Sequence, residues 1–150
     1  MSSYRWQTVD FNELTTAELY SALRLRQEIF VIEQNCVYLD VDGLDPSAVH
    51  ILCWRQDQLL AYLRCLKPGL SYIESSLGRI VVSPAARGLN LGRELVERGI
   101  AYNQQTWPDS DIRIGAQSYL ETFYRNLGFV VEGEPYIEDG ISHVHMNLHS

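Results

Sequence analysis

The 150-residue chain contains no run of lysines or arginines. Non-specific nucleic-acid binding needs basic patches that neutralise phosphates, so no nucleic-acid partner is expected. Cysteines are few. Cys36, Cys53 and Cys65 are odd in number, widely spaced and without a CxxC pair, which argues against both a disulfide framework and a zinc site. They read as reduced thiols, and a cytoplasmic protein is expected. Met1 to Asp10 lacks an apolar stretch behind a basic start, so no signal peptide is read there. No apolar run is long enough to span a bilayer, and no membrane partner is expected. Internal repeats and low-complexity segments are also missing.

Hydrophobic residues make up 46% of the chain, enough for one sizeable core, and 21% charged residues argue against disorder. Residues 1–150 are therefore read as a single domain. A formal net charge of −7 favours cationic or neutral partners.

Tyr4 to Val9 alternates and predicts a first strand. Thr15 and Glu18 form a capping box ahead of Leu19, Ala22, Leu23, Arg26, Ile29 and Phe30, which share a helical stripe. Arg26 within that stripe must snorkel out or meet a carboxylate. Glu33 to Asp45 reads as a long acidic loop. Val49–Trp54, Leu59–Leu66 and Tyr72–Val82 read as strands, the last ending in Ile80-Val81-Val82. A helix with Leu91, Leu95, Val96, Gly99 and Ile100 on one face ends before Pro108. Ile112–Ala116 is a short strand, and Ser118 is expected to cap a helix bearing Leu120, Phe123, Tyr124 and Leu127, closed by Gly128. Phe129–Ile137 and Ile141–Leu148 read as a final hairpin through Asp139-Gly140. The early strands suit antiparallel hairpins, whereas the strand–helix–strand passage from Ile80 to Ala116 demands a parallel crossover.

The stretch Gly78 to Arg93 is the most informative. A buried strand ends at Val82, and a short loop with Arg87, Gly88 and Gly92 leads straight into a helix. Free N–H groups at a helix N-terminus, reinforced by the helix dipole, cradle anions. This stretch resembles the cofactor loop of the GNAT acetyltransferase superfamily, Q/R-x-x-G-x-G/A after an apolar strand. Arg87 matches the first position and Gly92 the last. Asn90 replaces the middle glycine, and asparagine tolerates left-handed backbone angles. The absent GxGxxG order and the preceding hairpins argue against a Rossmann site.

Gly115 to Phe129 resembles the second pattern of that superfamily, a strand, then a short helix carrying tyrosine, then Gly-Phe. Tyr124 matches the tyrosine that protonates the departing thiolate, and Gln117 stands where many members carry a cofactor-contacting asparagine. Phe30 to Cys36, Asp40 to Gly43 and Glu138 to His143 look like the ElaA-type branch, which extends the resemblance over nearly the whole chain. Val37 and Ser142 depart from it, standing where that branch commonly has proline.

The resemblance implies a mixed α/β (α+β) fold, with a central sheet of about seven strands flanked by helices and a parallel crossover between the fourth and fifth strands. It implies acetyl-CoA as the donor, CoA as product, no metal, and direct transfer to a small-molecule or peptide amine in a ternary complex. The donor would be held by Ile80, Val81, Val82, Arg87, Gly88, Leu89, Asn90, Leu91, Gly92, Arg93, Gln117 and Tyr124. On the acceptor side, Glu33, Gln34, Asp40, Asp42, Asp45 and His50 are candidates to hold the substrate, with Glu33 or His143 to move its proton. Solvated loop carboxylates that cap Arg26 are the structural alternative. A non-catalytic acyl-CoA-binding regulatory module is the alternative function, and either a monomer or a homodimer fits.

Overall fold

The computed structural model describes residues 3–150. Its eight strands form one sheet: β1 (Arg5–Asp10), β2 (Val49–Arg55), β3 (Gln58–Leu66), β4 (Ser75–Val82), β5 (Ile112–Gln117), β6 (Val130–Val131), β7 (Tyr136–Glu138) and β8 (Ile141–Leu148). The spatial order is β1-β2-β3-β4-β5-β8-β6, with β7 also on β8. All pairings are antiparallel except β4 with β5, as the intervening helix requires.

Alternation along the strands divides the core into two layers. Ile51, Leu63, Leu77, Ile114 and Met146 face α2 (Leu91–Thr106), which contributes Leu91, Leu95 and Val96. Leu52, Trp54, Tyr62 and Val81 face α1 (Thr16–Arg26). α2 packs close, since a Cβ on Gly99 would stand 3.0 Å from methyls of Leu63 and Leu77. Burying each such side chain contributes about 1.5–3 kcal/mol.

The Thr15–Glu18 capping box is present. The buried face of α1 runs through Ala22, Leu25 and Arg26, with Leu23 only partly covered, and beyond Arg26 the helix widens into a π-helical stretch, Gln27–Glu33, that buries Ile29. β4 starts at Ser75, three residues later than the pattern of Tyr72 to Val82 implies. Ser118 caps no helix. It bonds Ser142 Oγ at 2.7 Å, and a 3₁₀ turn, Ser118–Leu120, precedes the short α3 (Glu121–Arg125). The expected strand Phe129–Ile137 is broken into β6 and β7, because Gly133 takes φ 87° and Pro135 has no N–H for the ladder.

Candidate active site

A cleft of about 430 Å³ opens where β4 and β5 part. The two strands pair only at Ser75–Ile112 and Ser76–Arg113. Beyond those pairs β4 stays with β3 and β5 stays with β8, which leaves a wedge. Ile80, Val81 and Val82 line one wall and Gly115, Ala116 and Gln117 the other, with Phe123 and Tyr124 of α3 between them.

β4 carries a bulge. Tyr62 faces Val81 while Arg64 faces Gly78, so Arg79 and Ile80 together stand opposite Leu63, and Arg79 takes φ 51°. Ser83 N donates to Leu60 O at 2.8 Å. In an antiparallel ladder alternate residues face the partner, so the N–H of Val82 points to the open side.

After β4 the chain makes a 3₁₀ turn, Pro84–Ala86, and enters α2 through Gly88 at φ 85° and Asn90 at φ 61°. Asn90 thus takes the left-handed conformation the loop needs. The N–H groups of Gly88, Asn90, Leu91 and Gly92 make no main-chain hydrogen bond among the described residues. They form a ready anion cradle. Arg87 and Gly92 line the cleft beside this backbone. The side chain of Leu91 is in the core, Leu89 is solvent-exposed, and Arg93 turns outward to Glu97 at 3.6 Å.

Tyr124 is buried, with its ring edge-on to Phe123 and Phe129. Burial pushes its phenol well above the ordinary range, so it holds its proton at neutral pH. At the mouth of the cleft Arg87 Nη2 reaches Glu33 Oε1, an ion pair between the two lips. Gln117 Nε2 donates to Gln34 Oε1 at 3.1 Å, a second bridge across the wedge.

His143 completes the far wall. Its Nδ1 donates to Ile141 O at 2.8 Å, and Nε2 faces the cleft side, 3.9 Å from Glu138 Oε2. The ring stacks on Tyr136 with centroids 5.6 Å apart. A Cβ on Gly115 would lie 2.6 Å from the Tyr136 hydroxyl, so this strand needs glycine to make room for it.

The remaining acceptor-side candidates lie elsewhere, which corrects their expected placement. Asp40, Asp42, Asp45 and His50 do not line the cleft. Asp40 meets Arg26 at 2.8 Å and Arg79 at 2.8 Å, and Asp42 meets Arg64 and Arg79. Asp45 Oδ1 bridges Arg26 at 2.8 Å and Arg64 at 2.9 Å. Burial works against the Asp45 charge, but hydrogen bonding from Arg26 outweighs it and holds the carboxyl below its usual range. His50 is packed in the core, with Nδ1 2.7 Å from Tyr62 Oη and Nε2 3.0 Å from Asp45 O, and burial lowers its pKa. The acidic loop is thus largely neutralised by three arginines. Sequence reading named neither Glu138 and Asp139 nor Arg79 as site residues, although all three line the cleft. The Asp139-Gly140 turn was a usable signal for the first two.

A mixed sheet split between its two parallel strands, with free main-chain N–H groups on one lip and a buried tyrosine between the walls, defines an acyltransferase of the GNAT type. The family description "Acetyltransferase (GNAT) domain" matches residues 23–150, and the chain belongs to that family. It is 41% identical over 143 residues to protein ElaA of Escherichia coli strain K12, covering 94% of each chain. The crystal structure of E. coli ElaA matches with a TM-score of 0.92 at 39% identity, over 98% of this chain and 100% of that one. An acyl-CoA N-acyltransferase from Pseudomonas aeruginosa matches at 0.93 and 42% identity, over 97% and 99%. The fold therefore supports acyl transfer from an acyl-CoA. Among the described residues no helix is long and apolar enough to cross a membrane.

Proposed function

We propose that this protein moves an acetyl group from acetyl-CoA to an amine by direct attack in a ternary complex. The observation that carries this reading is the convergence in one cleft of the Arg87–Gly92 lip, Tyr124 and His143. The diphosphate of the donor would lie on the N–H groups of Gly88, Asn90, Leu91 and Gly92, with Arg87 adding a charge. Gln34 and Gln117 offer amide donors and acceptors to the pantetheine arm.

An alkylamine with a pKa of about 10.4 arrives as a cation. Glu33, Glu138 and Asp139 give the acceptor side an acidic rim that favours it. His143 Nε2, directly or through water, takes the proton, and Glu33 can relay it. The neutral nitrogen attacks the thioester carbon. The carbonyl oxygen gains negative charge and accepts a hydrogen bond from Val82 N–H. The C–S bond then breaks, the thiolate takes the Tyr124 proton, and the proton shed by the new amide nitrogen returns to the Tyr124 phenolate through water. The products are an amide and CoA. The three cysteines are unpaired and buried, which suits a reducing cytoplasm.

The test is thiol release from acetyl-CoA against a mixed panel of amines and peptides, with longer acyl-CoAs alongside. Turnover of an amine with acetyl-CoA supports the proposal. CoA binding without release for every acceptor overturns it in favour of a binding module, and release with alcohols alone overturns N-transfer.

A further inference from the structure

We propose that Arg79, clamped by the Asp40–Asp42 loop, is a positioning residue that holds the β4 bulge and so aims the Val82 N–H at the carbonyl of the bound thioester. The inference rests on acyl-CoA binding in the wedge. It adds a role that the acceptor-side reading of those aspartates does not contain.

Arg79 sits at φ 51°, a conformation disfavoured for any residue with a Cβ. Such backbone persists only where its surroundings over-determine it. Here the side chain supplies that constraint. Nη2 donates to the main-chain oxygen of Asp40 at 2.9 Å and reaches Asp42 Oδ2 at 3.4 Å. Nε stands 2.8 Å from Asp40 Oδ1 but makes no aligned hydrogen bond, so that contact is an ion pair. The guanidinium also lies over the Tyr38 ring, 5.7 Å from its centre, and Tyr38 Oη donates to the same Asp40 oxygen at 2.9 Å.

The clamp is anchored in turn. Asp40 is buried and takes two hydrogen bonds from Arg26, at 2.8 Å to Oδ2 and 3.1 Å to its carbonyl oxygen. Arg26 is 1% exposed and fixed to Asp45. A continuous set of charge-assisted contacts thus runs from α1 through the loop to the one residue of β4 in the left-handed region. That residue sits where the strand changes register against β3. Register decides which N–H groups face the cleft, because one step moves every group to the other side. Val81 stays packed against α1 in any case, so losing the clamp loosens the bulge without unfolding the strand.

The test uses acetyl-CoA labelled with carbon-13 at the thioester carbonyl. Isotope-edited infrared spectroscopy reads the hydrogen bond to that oxygen directly and needs no acceptor. Wild-type protein is expected to lower the bound carbonyl stretch relative to free acetyl-CoA. Arg79→Gln is expected to lose most of that shift while CoA affinity by calorimetry stays within about threefold. With any amine that serves as acceptor, kcat should fall about ten- to a hundredfold at little changed donor KM. Arg79→Lys, which keeps the charge, should recover part of both readouts. A full shift in Arg79→Gln overturns the proposal. If Arg79→Gln does not fold, Arg79→Lys and Asp40→Asn decide: wild-type shifts in both overturn it, and reduced shifts support it. A wild-type complex without a shift overturns the proposal as well, and a wild type that does not bind acetyl-CoA overturns the reading of the cleft itself.

Discussion

Replacing Asp45 with asparagine tests the buried charge network most sharply. Asp45 Oδ1 accepts from Arg26 Nη1 and Arg64 Nη1, and the three side chains are 4%, 1% and 4% exposed. Arg26, Arg64 and Arg79 are balanced by Asp40, Asp42 and Asp45. Asp45→Asn keeps the shape but leaves one buried positive charge in excess. Breaking a buried ion pair from one side costs about 3–5 kcal/mol. Against a typical total of about 5–15 kcal/mol this is a large fraction. At roughly 2–4 °C per kcal/mol for a domain of this size, Tm should fall by about 6–20 °C. Urea unfolding followed by tryptophan fluorescence measures the loss, and a double-mutant cycle with Arg26→Gln measures the coupling. A loss below about 1 kcal/mol, the range of an exposed pair, would refute the reasoning, as would additivity in the cycle. The pH dependence has a definite sign. Burial raises the Asp42 and Asp45 pKa values, but arginine hydrogen bonds outweigh it and leave both carboxyls depressed. Their contribution is complete above the unfolded carboxylate pKa of about 3.9 and is lost as pH falls below it toward the folded values. Stability of the wild type should therefore drop below about pH 4, and less steeply in Asp45→Asn.

Arg87→Glu should repel both Glu33 and the diphosphate, raising the Kd for CoA about ten- to a hundredfold in calorimetry; unchanged affinity would remove Arg87 from the donor site. Tyr124→Phe should lower kcat about a hundredfold while CoA affinity holds, and equal turnover would remove the phenol as the acid. Gly115→Ala places a Cβ 2.6 Å from the Tyr136 hydroxyl, so Tyr136 must shift and withdraw its stacking from His143. Amine turnover should fall about tenfold with CoA binding intact, and full activity would show that His143 does not depend on that stack.

Local signals were the readable ones. The Thr15–Glu18 box needs only neighbours in sequence, and Thr15 N donates to Glu18 Oε1 at 2.9 Å as expected. The crossover from Ile80 to Ala116 follows from chain connectivity and handedness, not from any contact. Arg26 in an apolar stripe demanded a carboxylate, and two are present. Which two was not legible. A loop of aspartates serves a cationic substrate or a folded-back arginine equally well, and Arg64 and Arg79 lie 22 and 37 residues from Asp42. The β4 bulge is equally silent, because Arg79 carries none of the glycine signature that usually marks a left-handed strand residue. The split of β6 from β7 was readable in Gly133 and Pro135 and outweighs the apolar pattern around them.

The two lips of the cleft are built on different physical principles. On the proposed reading the donor lip would use the main-chain N–H groups of Gly88, Asn90, Leu91, Gly92 and Val82, whose directions are set by backbone conformation and tolerate much change in side chains. The acceptor lip would use Glu33, Glu138, Asp139 and His143, which line the same cleft and whose chemistry changes with each substitution. Arg87 and Glu33 join them through a pair whose side chains are 49% and 44% exposed. An exposed pair contributes only about 0–1 kcal/mol, so a diphosphate can take Arg87 at small cost and leave the Glu33 charge facing the acceptor side. The buried Asp40 and Asp45 behind that lip are already paired with arginines, so on the proposed reading discrimination among acceptors would fall to the few acidic groups that remain open to the cleft.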